Sequence, residues 1–119
     1  MHKGHKISVV LPCYNEEEGV CIVMGDMPAL VDEVVVVDNN SKDRTSERAA
    51  ERGAKVVLET RQGYGAAYKA GLAAATGDVI ICMDGDGTYP RTFIPVLLDV
   101  MFEFDLDFIT CDRTGHKLT

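Results

Sequence analysis

The sequence predicts one α/β domain with a mostly parallel sheet, and three observations carry that prediction. Short β-branched runs (KISVVL, EVVVV, KVVL, VIICM) alternate with helical patterns, as repeated βαβ units do. The chain has 119 residues, near the modal size of a single domain, and its 46% hydrophobic content suffices for one core. No internal repeat or low-complexity linker divides it. Residues 1–119 are therefore read as one domain.

The first strand is expected over residues 6–11, with Pro12 fixing the turn that follows. A helix over residues 16–27 comes next, interrupted near Pro28. Asn15 is its expected N-cap, and the carboxylates of Glu16, Glu17 and Glu18 suit the positive end of its dipole. Strand two covers residues 33–37. Ser41 is placed to cap a helix over residues 45–52, and Gly53 stands where a left-handed C-terminal residue is wanted. Strand three covers residues 55–58. The glycine-bearing RQGYG then feeds an alanine-rich helix over residues 66–75, with Gly77 as its stop signal. Strand four, residues 79–83, is nearly continuous in apolar side chains, as a strand covered on both faces should be. A last helix is expected after Pro90 and a fifth strand over residues 108–111.

Composition excludes several functions. A net charge of −7 argues against a nucleic-acid partner, whose phosphates demand clustered Lys and Arg. No apolar run approaches the roughly 20 residues of a membrane span. The opening MHKGHK leads straight into a strand and lacks the apolar stretch and cleavage site of a signal peptide, so a cytoplasmic location is expected. Cys13, Cys21, Cys82 and Cys111 form no CxxC pair and are read as reduced, mostly buried thiols. An acidic protein that takes a phosphorylated substrate needs a cation to bring it in.

The predicted strand order of polar segments carries the functional argument. PCYNEE follows strand one, DNNSKD strand two, RQGYG strand three and DGDGTYP strand four. In an open parallel sheet the carboxyl ends of the strands share one edge, where ligands bind. The densest polar clusters of the chain therefore converge on that edge.

In DGDG, Asp84 and Asp86 stand at i and i+2, so an extended backbone points both carboxylates the same way, toward one divalent ion. Gly85 and Gly87 leave room for a diphosphate. Magnesium or manganese would complete its shell with water and phosphate oxygens. The plainer reading is an acidic turn, but two carboxylates this close repel unless a cation or proton joins them. Tyr14, Asn15 and Glu16 offer an aromatic face, an amide and a carboxylate, which suit a base and a ribose. Asp38, at the end of a buried strand, requires a partner. It can accept the imide N–H of uracil or the ring N–H of guanine, or it can cap the next turn. Arg61 is a candidate phosphate contact beside Gly63 and Gly65, although Tyr68 breaks the dinucleotide fingerprint. Asp43 and Arg44 read as structural, and Lys69 as a surface residue.

DGDGT also resembles the aspartate-nucleophile motif of haloacid dehalogenase-like phosphatases, with Asp84 as nucleophile. That motif belongs after a first strand and needs later acidic partners, which this chain does not supply. A phospho-receiver domain matches in outline only, because PCY stands where its acidic pair would be.

Together PCYNEE, VVVVDNNSKDRT, RQGYGAAYKAGLAAATGDVIICMDGDGTYP and FDLDFITCDR resemble the family 2 glycosyltransferases, and most of all the dolichyl-phosphate mannose and glucose synthases. The likeness spans residues 6–113. It implies the GT-A fold, a three-layer Rossmann-like domain that uses nucleotide-diphosphate sugars. It further implies that Pro12, Tyr14, Glu16 and Asp38 contact the nucleoside. Asp84 and Asp86 would hold Mg2+ or Mn2+ and the donor diphosphate, with Arg61 and Gly65 near the phosphates or base. The implied reaction moves a hexose from a UDP- or GDP-sugar to an acceptor such as polyprenyl (dolichyl) phosphate, at the membrane face. Two departures stand out. Asn39 replaces the second acid of the family's usual pair, and the family's longer C-terminal portion, with its catalytic base, has no counterpart. The chain is thus expected to be the nucleotide-binding portion, truncated relative to the family. It would bind donor without transferring, or transfer to an already anionic acceptor, alone or as a homo-oligomer.

Overall fold

The computed structural model describes residues 1–83 together with Pro95 and Asp99. Four parallel strands, β1 (Ile7–Cys13), β2 (Glu33–Asp38), β3 (Lys55–Leu58) and β4 (Val79–Cys82), form a sheet in the order β3-β2-β1-β4. Helices α1 (Glu17–Gly25), α2 (Thr45–Glu51) and α3 (Tyr64–Ala74) make the crossovers. Each parallel connection needs such a helix, and this alternation is what the β-branched runs predict.

Strand alternation assigns the helices to two faces. Ile7, Val9, Leu11 and Cys13 of β1 join Val36 of β2, Val20 and Val23 of α1 and Ala49 of α2 in one buried cluster. Val10, Val35 and Val37 point the other way and meet Ala67 of α3. The result is three layers, with α1 and α2 on one side of the sheet and α3 on the other. Gly71 allows α3 to close on the sheet. A Cβ there would collide with Val10 Cγ1 and lie 3.1 Å from Val37 Cγ2.

Several expected boundaries shift, each for a tertiary reason. β1 continues through Pro12 to Cys13, so Pro12 lies inside a strand rather than after it. Asn15 is not the N-cap of α1: its φ is +52° and Glu16 takes that position. Ser41 does not cap α2, whose N-cap position is Arg44. Asp43 does that work, accepting the Thr45 N–H at 3.0 Å. α3 begins at Tyr64, earlier than alanine content suggests. It ends before Gly77, which serves close packing against β1 rather than a helix stop. β4 is half-buried with Cys82 exposed, not covered on both faces. Cys13 is buried as expected, whereas Cys21 is only partly so.

Of the helix expected after Pro90, Pro95 and Asp99 are described and are helical. The expected strand over residues 108–111 lies outside the described residues, as do Cys111, Asp84 and Asp86.

Candidate functional site

All four strands end on the same edge, and the strand order reverses between β1 and β4. The first three strands build outward in one direction, and β4 then adds to the opposite side of β1. The crossovers α1 and α2 lie on one face and α3 on the other, and at such a reversal open parallel sheets place a ligand crevice beyond the strand ends. In the β1–β4 ladder, Val10 pairs with Cys82 and its carbonyl accepts the Met83 N–H at 2.9 Å. The next donor from β1 toward β4 would be residue 12, and proline has no N–H to give. Pairing with β2 faces the other way and continues through Cys13 with Asp38. Pro12 thus offers no further donor to the β1–β4 ladder, and the DGDG segment follows Met83 directly in the chain.

The loops on this edge are tied to one another more than to their own helices. Asn15 donates its N–H to Ser41 Oγ at 2.8 Å and accepts the Lys42 N–H on its Oδ1 at 2.8 Å. Glu16 N–H reaches Thr45 Oγ1 at 2.9 Å. These bonds explain why Asn15 and Ser41 do not act as N-caps, because their side chains instead bridge the loops after β1 and β2. The left-handed backbone at Asn15 and Asn40 is a conformation asparagine tolerates well.

Asp38 is buried, and both its carboxylate oxygens are engaged. Oδ1 accepts the Ser41 N–H at 2.8 Å, and Oδ2 accepts the Ser46 hydroxyl. Asp38 therefore holds the turn after β2; each oxygen keeps a further lone pair for a ligand donor. Burial opposes ionisation of Asp43. Hydrogen bonds from the Thr45 hydroxyl and the N–H groups of Thr45 and Glu17 outweigh it and hold the carboxyl below its ordinary range. Asp43 and Arg44, which pairs with Glu47 at 2.9 Å, are structural as expected.

Tyr14 is exposed on the edge, and Glu16 is partly buried beside it. Arg61 and Gly65 are exposed in the loop and first turn that lead into α3, where Tyr64 stacks on Tyr68 with ring centroids 6.2 Å apart. Nothing lies within 4 Å of a Cβ added at Gly65, so its space is open; the backbone demand falls instead on Gly63, at φ +131°. Lys69 is a surface residue, as read from the sequence. Pro12 is buried in β1, where strand alternation puts it on the same face as Val10. The expected metal ligands lie beyond the described residues, among which no group of three or more metal-binding side chains gathers. Sequence reading named Asn39 only as a departure from an acidic pair and missed its bonds to the 59–63 loop. The local signal was present, because an amide next to a buried strand end must satisfy both its donors and its acceptor.

Strand order defines the class: an open, parallel α/β domain whose strand order reverses between β1 and β4. The chain belongs to glycosyl transferase family 2, whose family model matches residues 8–119. An uncharacterized glycosyltransferase of Mycobacterium tuberculosis is 45% identical over 95 residues, covering 80% of this chain and 43% of the relative. A dolichyl-phosphate hexose transferase of Haloferax volcanii is 38% identical over 110 residues, or 90% of this chain and 47% of that protein. Glucosyl-3-phosphoglycerate synthase from M. tuberculosis, solved with Mn2+, UDP and glucosyl-3-phosphoglycerate, superposes with a TM-score of 0.72. It is 37% identical, and the match covers 82% of this chain and 40% of that one. The same enzyme has been solved with Mg2+ and UDP. The chain therefore spans less than half the length of these relatives. No described helix is long and apolar enough to cross a membrane.

Proposed function

We propose that this chain carries the donor side of a metal-dependent hexosyltransferase that uses a UDP- or GDP-sugar. One observation carries the reading: the polar loops after β1, β2 and β3 meet at the carboxyl edge of the sheet, and DGDG follows in the chain directly from the β4 end on that edge. Asp84 and Asp86 supply hard oxygen donors, the chemistry that magnesium and manganese prefer. Bound there, the ion would act as a Lewis acid on the departing nucleoside diphosphate. Solved relatives hold Mn2+ or Mg2+ with UDP, which supports the same assignment.

The chain's own groups would do the rest. Tyr14 offers a face for the base, and Glu16 a carboxylate for the ribose. Asp38, already fixed by Ser41 and Ser46, presents its remaining lone pairs to a ring N–H. Arg61 would balance phosphate charge that an acidic chain otherwise repels. Family membership favours this over Asp84 acting as a phosphatase nucleophile.

For the acceptor, a polyprenyl phosphate requires least of the chain. Its oxygen is already anionic, so positioning suffices and no side chain must remove a proton. The dolichyl-phosphate relative supports that class, and such an acceptor would place the reaction at a membrane surface. Incubation with UDP-glucose or GDP-mannose, Mn2+ and a short polyprenyl phosphate tests it. Glycolipid formation supports transfer; binding of nucleotide without product leaves a donor-binding half-domain; neither binding nor product overturns the proposal.

A further inference from the structure

We propose that Asn39 is a positioning residue: its single side chain sets the conformation of the 59–63 loop that carries Arg61. The inference rests on the donor-site reading only for what the loop would serve. Asn39 is 8% exposed and sits directly after β2. Its Nδ2 donates to the carbonyl oxygens of Glu59 at 3.0 Å and Arg61 at 2.8 Å, and its Oδ1 accepts the Gly63 N–H at 2.9 Å. Its own N–H donates to the Cys13 carbonyl at 2.8 Å. One residue therefore joins the ends of β1 and β2 to the segment between β3 and α3.

The hydrogen-bond pattern admits only an amide. An ionised carboxylate accepts and cannot donate, so aspartate at this position would face two backbone carbonyls with like partial charge and no proton between them. This gives a physical reason for the departure from an acidic pair after β2. The carboxylate there would break the loop that the amide builds. Few other bonds fix the segment: Glu59 N–H reaches the Asp38 carbonyl at 2.9 Å, and Arg61 N–H reaches its own loop's Glu59 side chain at 3.3 Å. Gly63, at φ +131°, holds a backbone that a larger residue would strain, and in that conformation its N–H donates to Asn39.

Asn39→Asp and Asn39→Ala in the full chain test this by amide hydrogen exchange of the free protein, with Ser8→Ala as a control that weakens the opposite edge of the sheet. The expected result is at least ~10-fold faster exchange at Gly63 and its neighbours in both Asn39 variants, with β1 amides still protected. UDP–Mn2+ affinity should fall by about tenfold in the same variants. Ser8→Ala should change neither loop exchange nor affinity. Lowering the pH should partly restore Gly63 protection in Asn39→Asp alone, because a protonated carboxyl regains one donor. Wild-type exchange at the loop, or faster exchange spread evenly over the loop and β1, overturns the proposal. If the wild-type chain binds no nucleotide, the donor-site reading fails while the exchange result still decides the role of Asn39.

Discussion

The two edges of the sheet use polar side chains for different ends. At the amino edge, groups close on one another without spare space. Ser8, fully buried, donates its hydroxyl to Glu33 Oε2 at 2.6 Å and accepts the Gly77 N–H at 2.9 Å. Glu33 also accepts the Thr76 N–H at 2.9 Å, and Asp32 accepts the Ile7 N–H at 2.7 Å. A Cβ on Gly77 would collide with Ser8 Oγ and lie 2.9 Å from the Lys6 carbonyl oxygen. At the carboxyl edge the loops are stitched together as firmly, but Tyr14 and Tyr64 stay exposed and the space around Gly63 and Gly65 is open. The first edge locks the sheet; the second fixes loops in place and leaves their outer faces exposed.

Breaking each edge separately sharpens that contrast. Gly77→Val should have the largest effect on stability, about 3 kcal/mol lost in denaturant unfolding, since backbone as well as side chain blocks the new atoms. The folded fraction should still bind nucleotide with wild-type affinity. Asp38→Asn should cost roughly 1–2 kcal/mol, because one of the two oxygens that Ser41 and Ser46 reach becomes an NH2 group and the charge-assisted bond to it is lost or reversed. It should also weaken nucleotide binding beyond that loss, measured by calorimetry on folded protein. Arg61→Ala should change stability by less than about 0.5 kcal/mol, as exposed positions do, yet lower UDP affinity by about tenfold. Such a split between fold and binding is expected at the carboxyl edge only.

The smallest effect is a pH dependence at the amino edge. Hydrogen bonds from the Ser8 hydroxyl and the Thr76 N–H and hydroxyl outweigh partial burial and hold Glu33 below its ordinary value of 4.5. A depressed carboxyl stabilises the fold above that value, and the contribution is lost as pH falls through the lower, folded one. Glu33→Gln should therefore flatten part of the decline in Tm below about pH 4.5, with no change in nucleotide affinity near neutrality. An unchanged acid slope would show that Glu33 does not stabilise the edge in this way.

The sequence made the strands legible because β-branched runs and their spacing are local signals. Val34 to Val37 in β2 and Lys55 to Leu58 in β3 fall where periodicity puts them. Helix caps were not legible in the same way. Asn15 and Ser41 have the chemistry of N-caps but bond to each other's loops, and only the fold brings those loops together. Gly77 likewise looks like a helix stop until Ser8, 69 positions away, is seen against it. That the strand-end loops share one edge was readable from the rule that parallel strands place their carboxyl ends together. The missing donor in the β1–β4 ladder was not, because Pro12 reads locally as a turn and reveals its missing N–H only once the neighbouring strand is known.

Titration of UDP into the full chain with and without Mn2+, in the wild type and in Asp84→Ala and Asp86→Ala, tests the central claim most directly. The account predicts a nucleotide-dependent rise in Tm that requires Mn2+, reaching the equivalent of about 2.7 kcal/mol at a hundredfold excess over Kd, and that either substitution abolishes. Binding of equal strength without the ion, or undiminished in both variants, would contradict a metal-held diphosphate at this edge.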